Sequence, residues 1–246
     1  MSGHSKWATI KHKKGAADAK RGQMFTKLIK EISIAARMGG GDPEGNPRLR
    51  TAVLKARGAN MPKDNIDRAI KKGTGELEGV NYEELSYEAY APGGVAILIE
   101  VLTDNKNRAA ADVRNILTRA GGQLATAGAV SRLFKRQGII TLDGEKYTED
   151  QVMEAAIDGG AEDVSLSDGV IEVTTATEDF EAVINALNGK NFETLSAEIS
   201  MVPESEVSLD HDGTAKALRL IDKLEENDDV QNVYSNIEIP EGFEAE

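Results

Sequence analysis

Apolar residues near the start of the chain recur at the spacing of an amphipathic helix. Phe25, Leu28, Ile29 and Ile32 lie three or four positions apart, and three glycines follow at 39–41. This pattern predicts a helix that packs along one face and stops at the glycines. Helical geometry places four cations on the opposite face: Lys20, Lys27, Lys30 and Arg37.

Two shorter helices are predicted before residue 75. Asn46 and Pro47 read as an N-cap followed by a first-turn proline, which opens a helix that ends near Gly58. Asp64 is expected to cap a third helix that ends at Gly73. Each helix has apolar residues on one side and Lys or Arg on the other. Together the three helices predict a small bundle with a basic surface.

Strand patterns begin beyond a glycine-rich linker at residues 73–80. Runs at 87–91 and 95–102, joined by Pro-Gly-Gly, predict a β-hairpin, and a helix follows at about 108–120. From residue 131 the order is β-α-β-β-α-β, which predicts a ferredoxin-like unit.

The last section of the chain has too few elements to form a domain by itself. It predicts a strand at 206–209, a helix through 217–224 and a strand at 230–237. We therefore expect it to complete the sheet that begins near residue 87. The predicted fold is α+β, with a three-helix basic bundle followed by two ferredoxin-like α/β sandwich domains. The predicted boundaries are 1–78 for the bundle, 79–130 plus 204–246 for the discontinuous domain, and 131–203 for the domain inserted in it.

Charge divides the chain into two unequal parts. Residues 1–75 hold 17 Lys and Arg against 6 Asp and Glu, a net of +11, whereas the remainder has a net of −24. Such an asymmetry suggests that one end meets a polyanion. The alternative is an ordinary solvated basic surface. There is no cysteine, which excludes disulfides, thiolate nucleophiles and Cys-based metal sites and fits a reducing cytoplasm.

Several motifs spread along the chain point to one family. They include Gly-His-Ser-Lys-Trp at 3–7, Asn-Pro-Arg-Leu-Arg at 46–50, Tyr-Ala-Pro-Gly-Gly at 90–94 and Asp-Asp-Val-Gln-Asn-Val-Tyr at 228–234. In combination these motifs resemble the YebC/PmpR family. The resemblance implies a three-domain, non-enzymatic cytoplasmic protein that regulates transcription by binding DNA. Mitochondrial relatives are translational activators, and some bacterial members are linked to stalled ribosomes, so ribosomal RNA stays open as the alternative partner.

A basic arm, residues 1–21, and the helices supply the candidate nucleic-acid-binding residues, because Lys and Arg neutralise phosphates without reading sequence. The candidates are Lys6, Trp7, Lys11, Lys13, Lys14, Lys20, Arg21, Lys27, Lys30, Arg48, Arg50 and Arg108. Trp7 either stacks on an unpaired base or anchors the arm to the bundle. Arg108 ends the stretch 105–108, which lies at the start of a predicted helix. Backbone N–H groups and the positive end of the helix dipole would stabilise an anion there. The alternative is that Asn107 only caps that helix.

Other chemistry has little support in the sequence. The three histidines lack the spacing of a zinc site, and the acids Glu225, Glu226, Asp228 and Asp229 are expected to be solvent exposed at a helix end. We expect no metal, no cofactor, no small-molecule substrate and no membrane partner. A metal-dependent nuclease is the enzymatic alternative, and it predicts magnesium-dependent cleavage of nucleic acid. Oligomeric state stays open.

Overall fold

The N-terminal part of the protein is a three-helix bundle. The computed structural model describes residues 18–240 and residue 243, and within them α1 spans Asp18–Gly39, α2 Pro47–Gly58 and α3 Lys63–Thr74. Helix α1 thus begins inside the segment predicted to be an arm. The Asn46 side chain accepts a hydrogen bond of 3.1 Å from the Leu49 N–H, which confirms the predicted cap of α2.

The predicted cap of α3 is wrong. Pro62 occupies the N-cap position and no side chain caps this end, whereas Asp64 lies in the first turn, where a negative charge favours the helix dipole. Helices α1 and α3 approach closely: a Cβ on Gly73 would lie 2.2 Å from the Ser33 carbonyl oxygen, so only glycine fits there. The buried apolar residues of the bundle are Ile32, Ala35, Ala36, Leu49, Ala52, Val53, Ala56, Met61, Ile66 and Ala69.

Two four-stranded antiparallel sheets form the rest of the described protein, so the fold is α+β, as predicted. Its elements in chain order are β1 (Glu83–Tyr90), β2 (Ala96–Thr103), α4 (Lys106–Arg119), β3 (Gln123–Leu124), a 3-10 turn (Ser131–Leu133), β4 (Phe134–Asp143), α5 (Glu149–Ile157), β5 (Ala161–Ser167), β6 (Val170–Thr175), α6 (Phe180–Gly189), β7 (Thr194–Pro203), α7 (His211–Glu225) and β8 (Val230–Ser235). None of the helices in the described part combines the length and the apolarity that a membrane crossing requires.

The first sheet has the order β3-β1-β2-β8. The hairpin β1–β2 turns through Gly93 and Gly94, both at positive φ, which confirms the prediction from the Pro-Gly-Gly sequence. Helices α4 and α7 contribute Val113, Leu117 and Leu218 to one core with the buried side chains of β2 and β8. The first sheet therefore contains strands that come before the second sheet in the chain, β1 to β3, and one that comes after it, β8.

The strand predicted at 206–209 is wrong. Only an isolated parallel bridge between Val207 and Ile237 forms there. The chain must turn immediately afterwards, because the Asp210 side chain caps α7 by accepting a 2.8 Å hydrogen bond from the Gly213 N–H. Val207 is therefore the residue that pairs at the edge of the first sheet before the chain turns.

The second sheet has the order β5-β6-β4-β7, with α5 and α6 on one face around Ile140, Ile171 and Leu187. This arrangement confirms the predicted β-α-β-β-α-β unit. The division into a bundle, a discontinuous sandwich and an inserted sandwich remains a proposal at the boundaries given above, and the membership of the two sheets supports it.

Glu88 organises the segment that leads from the first sheet into the second. Its carboxylate accepts hydrogen bonds from the backbone N–H groups of Gly128 (2.7 Å), Val130 and Ser131 (3.0 Å). Burial alone would raise the pKa of Glu88, but these three donors outweigh it and lower the pKa below its ordinary value. The charged carboxylate thus holds the start of the inserted sandwich against β1.

Candidate nucleic-acid interface

Helix α3 presents an exposed basic face. Its apolar residues Ile66 and Ala69 are buried in the bundle, and helical geometry turns the charged residues outward. Four exposed cations lie on α3, namely Lys63, Arg68, Lys71 and Lys72, and Arg57 near the end of α2 is exposed as well. Within the described residues none of these five has an ion-pair partner. Their charge is therefore available to an external anion.

The predicted basic face of α1 has a different environment. Lys30 is buried, and its ammonium donates to the Asp229 carboxylate (2.7 Å) and to the carbonyl oxygens of Asp228 (2.8 Å) and Leu102 (3.3 Å). These three acceptors use all three N–H donors of the lysine. The prediction that Lys30 points away from packed structure is wrong, because the first sheet and the end of α7 cover this face of α1.

The carbonyl groups at the end of α7 attract the neighbouring cations of α1. Lys27 donates to the Glu225 carbonyl oxygen at 2.6 Å, and Gln23 donates to the next carbonyl, that of Glu226. Glu225 is the last residue of α7, so these oxygens carry the negative end of the helix dipole. The predicted basic face of α1 thus binds, at this point, the acidic body of the same chain, which is residues 76–246.

Asp229 is the centre of a buried polar network. One of its oxygens accepts from Lys30, and the other accepts from Thr103 Oγ1 (3.1 Å) and Arg108 Nη2 (2.8 Å). Burial alone would raise its pKa, but the hydrogen bonds from Lys30 and Arg108 outweigh it and lower the pKa. The prediction that Asp229 is solvent exposed is wrong, because Asp229 is 4% exposed and paired with two cations.

The stretch 105–108 is organised by contacts within the protein. The Asn105 side chain, rather than Asn107, caps α4 by accepting a 3.0 Å hydrogen bond from the Arg108 N–H. The Arg108 guanidinium contacts Asp104 at 2.6 Å and Asp229 at 2.8 Å, which raises its pKa. Two carboxylates of the chain therefore stand where an external anion was expected.

Helix α2 and the end of α1 also hold cations that contact carboxylates or carbonyls. Arg48 binds Glu31 at 2.7 Å and Glu84 of β1, and these hydrogen bonds raise its pKa. Arg37 donates to the Tyr82 carbonyl oxygen. The Arg48–Glu84 and Arg37–Tyr82 contacts connect the bundle to the segment that enters the first sheet. Each of these two contacts links residues that are far apart in the chain.

Two further contacts of α2 reach the inserted sandwich. Arg50 Nη2 lies 3.1 Å from Glu181 Oε1, and Lys55 Nζ lies 3.0 Å from Glu198 Oε2. The four side chains are partly or largely exposed. The bundle therefore contacts both sandwiches through cations. The Lys30 contact with the first sheet is buried, whereas the contacts with the inserted sandwich are exposed.

The other predicted residues lie at or before the start of α1. Lys6, Trp7, Lys11, Lys13 and Lys14 fall outside the described residues. Lys20 lies in the first turn of α1, and Arg21 follows it at an exposed position. The predicted nucleic-acid-binding residues did not include the exposed cations of α3. The signal that could have identified them is the alternation of Lys and Arg with Ile66, Ala69 and Ile70.

Comparison with known proteins places the chain in a family. Residues 5–76 match the TACO1/YebC protein N-terminal domain, and residues 82–237 match the TACO1/YebC second and third domain. The chain belongs to the TACO1/YebC family. The family recognised from the sequence motifs is thereby confirmed.

The relatives of this TACO1/YebC protein match it over almost its whole length. A protein of Treponema denticola is 70% identical over 244 residues, which cover 99% of both chains, and one of Treponema pallidum subsp. pallidum is 65% identical with 98% of both covered. Both are named "Probable transcriptional regulatory protein". The crystal structure of a conserved hypothetical protein from Aquifex aeolicus is 47% identical, with a TM-score of 0.83 over 91% of this chain and 93% of that one.

Proposed function

We propose that this TACO1/YebC protein is a non-enzymatic, cytoplasmic regulator of transcription that binds DNA through its helical bundle. The observation that carries the proposal is the exposed basic face of α3, with Lys63, Arg68, Lys71 and Lys72 open to solvent. The names of the Treponema relatives support the regulatory role. The basic composition of residues 1–21 supports the same partner, because it places further cations next to the bundle in the sequence.

The binding that this surface supports depends on phosphate contacts. Lys and Arg on a convex helix neutralise backbone phosphates and release counterions, which gives affinity but no sequence information. Two acids, Asp64 and Asp67, lie on α3 among the four cations, so the net charge of this face is moderate. We therefore expect modest affinity that falls steeply with salt.

The experiment is a salt titration of binding to a labelled random-sequence DNA duplex of about 20 base pairs, followed by fluorescence anisotropy between about 50 and 200 mM salt. The variant R68Q/K71Q/K72Q removes three exposed cations from α3. If all three contact phosphates, the slope of log K against log[salt] becomes shallower by about 2 to 3, since each neutralised phosphate contributes about 0.9.

The matched control is R114Q/R119Q/R132Q, which removes three exposed arginines from the acidic body and changes the net charge equally. We expect its slope to equal that of the natural protein. An unchanged slope in the α3 variant would show that α3 does not bind the duplex. A parallel titration with an RNA hairpin of equal charge tests the alternative partner, because tighter RNA binding at every salt concentration would replace DNA by RNA.

A further inference from the structure

Helix α2 has a polar outward face that is distinct from the basic face of α3. Leu49, Ala52, Val53 and Ala56 are buried in the bundle. At about 100° per residue, the remaining positions occupy a continuous arc on the other side. Beyond the first two residues of the helix, Pro47 and Arg48, the residues of this arc are Arg50, Thr51, Leu54, Lys55, Arg57 and Gly58.

The inserted sandwich touches this arc through two carboxylates. Glu181, in the first turn of α6, binds the Arg50 guanidinium at 3.1 Å, and Glu198, on β7, binds the Lys55 ammonium at 3.0 Å. An oxyanion at hydrogen-bond distance from Arg or Lys is also the arrangement that a phosphate group adopts with these side chains. The two glutamates therefore occupy positions that phosphate oxygens would take.

The surface between these two contacts is open. Leu54 lies on the same arc and is 59% exposed, and a Cβ added to Gly58 would meet no atom within 4 Å. The apolar cluster of the bundle and that of the inserted sandwich share no residue in the part of the chain that the structure describes. The polar side-chain contacts described between α2 and the inserted sandwich are these two ion pairs.

We infer that the outward face of α2 is a second phosphate-binding surface, and that Glu181 and Glu198 cover it by taking the place of phosphates. The ligand is the sugar-phosphate backbone of a nucleic acid, so this inference rests on the proposed function. A polyanion and the inserted sandwich compete for Arg50 and Lys55. While both ion pairs are closed, these two cations do not neutralise phosphates of a bound duplex.

The test neutralises the covering carboxylates and leaves every cation in place. The variant E181Q/E198Q is titrated with the same random-sequence DNA duplex. It is expected to bind about fivefold more tightly at low salt, with a slope of log K against log[salt] that is steeper by about 2, because two cations become free to neutralise phosphates. The single variants E181Q and E198Q are expected to steepen the slope by about 1 each.

Two further variants separate the released cations from a general change in charge. E145Q/E154Q neutralises two exposed glutamates in the β4–α5 loop and on α5 of the same sandwich. It adds the same net charge, and its slope is expected to stay that of the natural protein. The quadruple variant R50Q/K55Q/E181Q/E198Q lacks the cations themselves and is expected to lose the steeper slope.

The outcomes distinguish this inference from the proposed function. If the natural protein binds the duplex and E181Q/E198Q has the same slope, the covered surface does not exist and the proposed function stands. If E181Q/E198Q and E145Q/E154Q gain affinity equally with no change of slope, the effect is one of net charge and the inference is wrong. If no variant binds, both are wrong.

Discussion

The bundle contacts the first sandwich and the inserted sandwich with the same chemistry, lysine or arginine against carboxylate, yet the two contacts differ in burial. The Lys30 and Asp229 side chains are 8% and 6% exposed, whereas those of Arg50 and Glu181 are 34% and 71% exposed. A buried charge is costly to leave without its partner, but an exposed pair exchanges readily with water and salt. The first contact is therefore part of the folded structure, and the second is one that a ligand can replace.

The largest effect is expected from Asp229→Ala. It leaves the Lys30 ammonium buried with two carbonyl acceptors and no negative charge, so the free energy of unfolding should fall by about 3 kcal/mol or more. Urea unfolding followed by circular dichroism measures this change. The matched control is Asp228→Ala, since the carboxylate of Asp228 is exposed, and only its backbone oxygen binds Lys30. Equal losses in the two variants would contradict the importance of burial.

An intermediate effect is expected from Glu88→Gln, which weakens the hold on the segment between the two sandwiches. Replacing the charged acceptor of three backbone N–H groups should lower the free energy of unfolding by about 1–2 kcal/mol at pH 7. Because the folded-state pKa of Glu88 is lowered, its contribution is complete above the ordinary value of 4.5 and is lost as pH falls through the folded value.

The difference between the natural protein and Glu88→Gln should consequently be constant above about pH 5.5 and shrink below pH 4.5. Unfolding measured at a series of pH values checks this. Glu204→Gln, at an exposed position, is the control and should show no such dependence on pH. A difference that grows on acidification would contradict the proposed charge state of Glu88.

The smallest effect on stability is expected from Glu198→Gln, which breaks an exposed ion pair with Lys55. The free energy of unfolding should change by less than about 1 kcal/mol at physiological salt, and the change should vanish at about 1 M salt. The comparison with Asp229→Ala is direct, because both variants remove a carboxylate that contacts the bundle. A loss as large as that of Asp229→Ala would remove the distinction between the two contacts.

Much of the fold was predictable because its signals are local. The Asn46–Pro47 start of α2, the hairpin through Gly93 and Gly94, and the order of elements in the inserted sandwich all follow from neighbouring residues. The strand predicted at 206–209 failed for a local reason as well, since Asp210 immediately starts α7. Periodicity described the apolar content of that segment but did not indicate where the chain turns.

The candidate site was harder to predict, because its decisive contacts are distant in sequence. Lys30 and Asp229 are 199 positions apart, and Arg108 and Asp229 are 121 positions apart. A run of acids such as 228–229 looks solvated in sequence. No periodicity shows that one of its carboxylates lies beneath α1. Most other described cations of the bundle contact carboxylates or carbonyls of the same chain. Only this tertiary information distinguishes the exposed cations Arg57, Lys63, Arg68, Lys71 and Lys72.

By itself, the sequence determined the three amphipathic helices, the family and the separation of a +11 segment from a −24 remainder. The tertiary structure alone decided which of those cations face solvent. The physical reason is that acidic groups and helix-end carbonyls attract cations of their own chain wherever folding brings the two together. Lys27 and Lys30 of α1 bind the end of α7 and the loop after it, and α3 keeps its cations exposed.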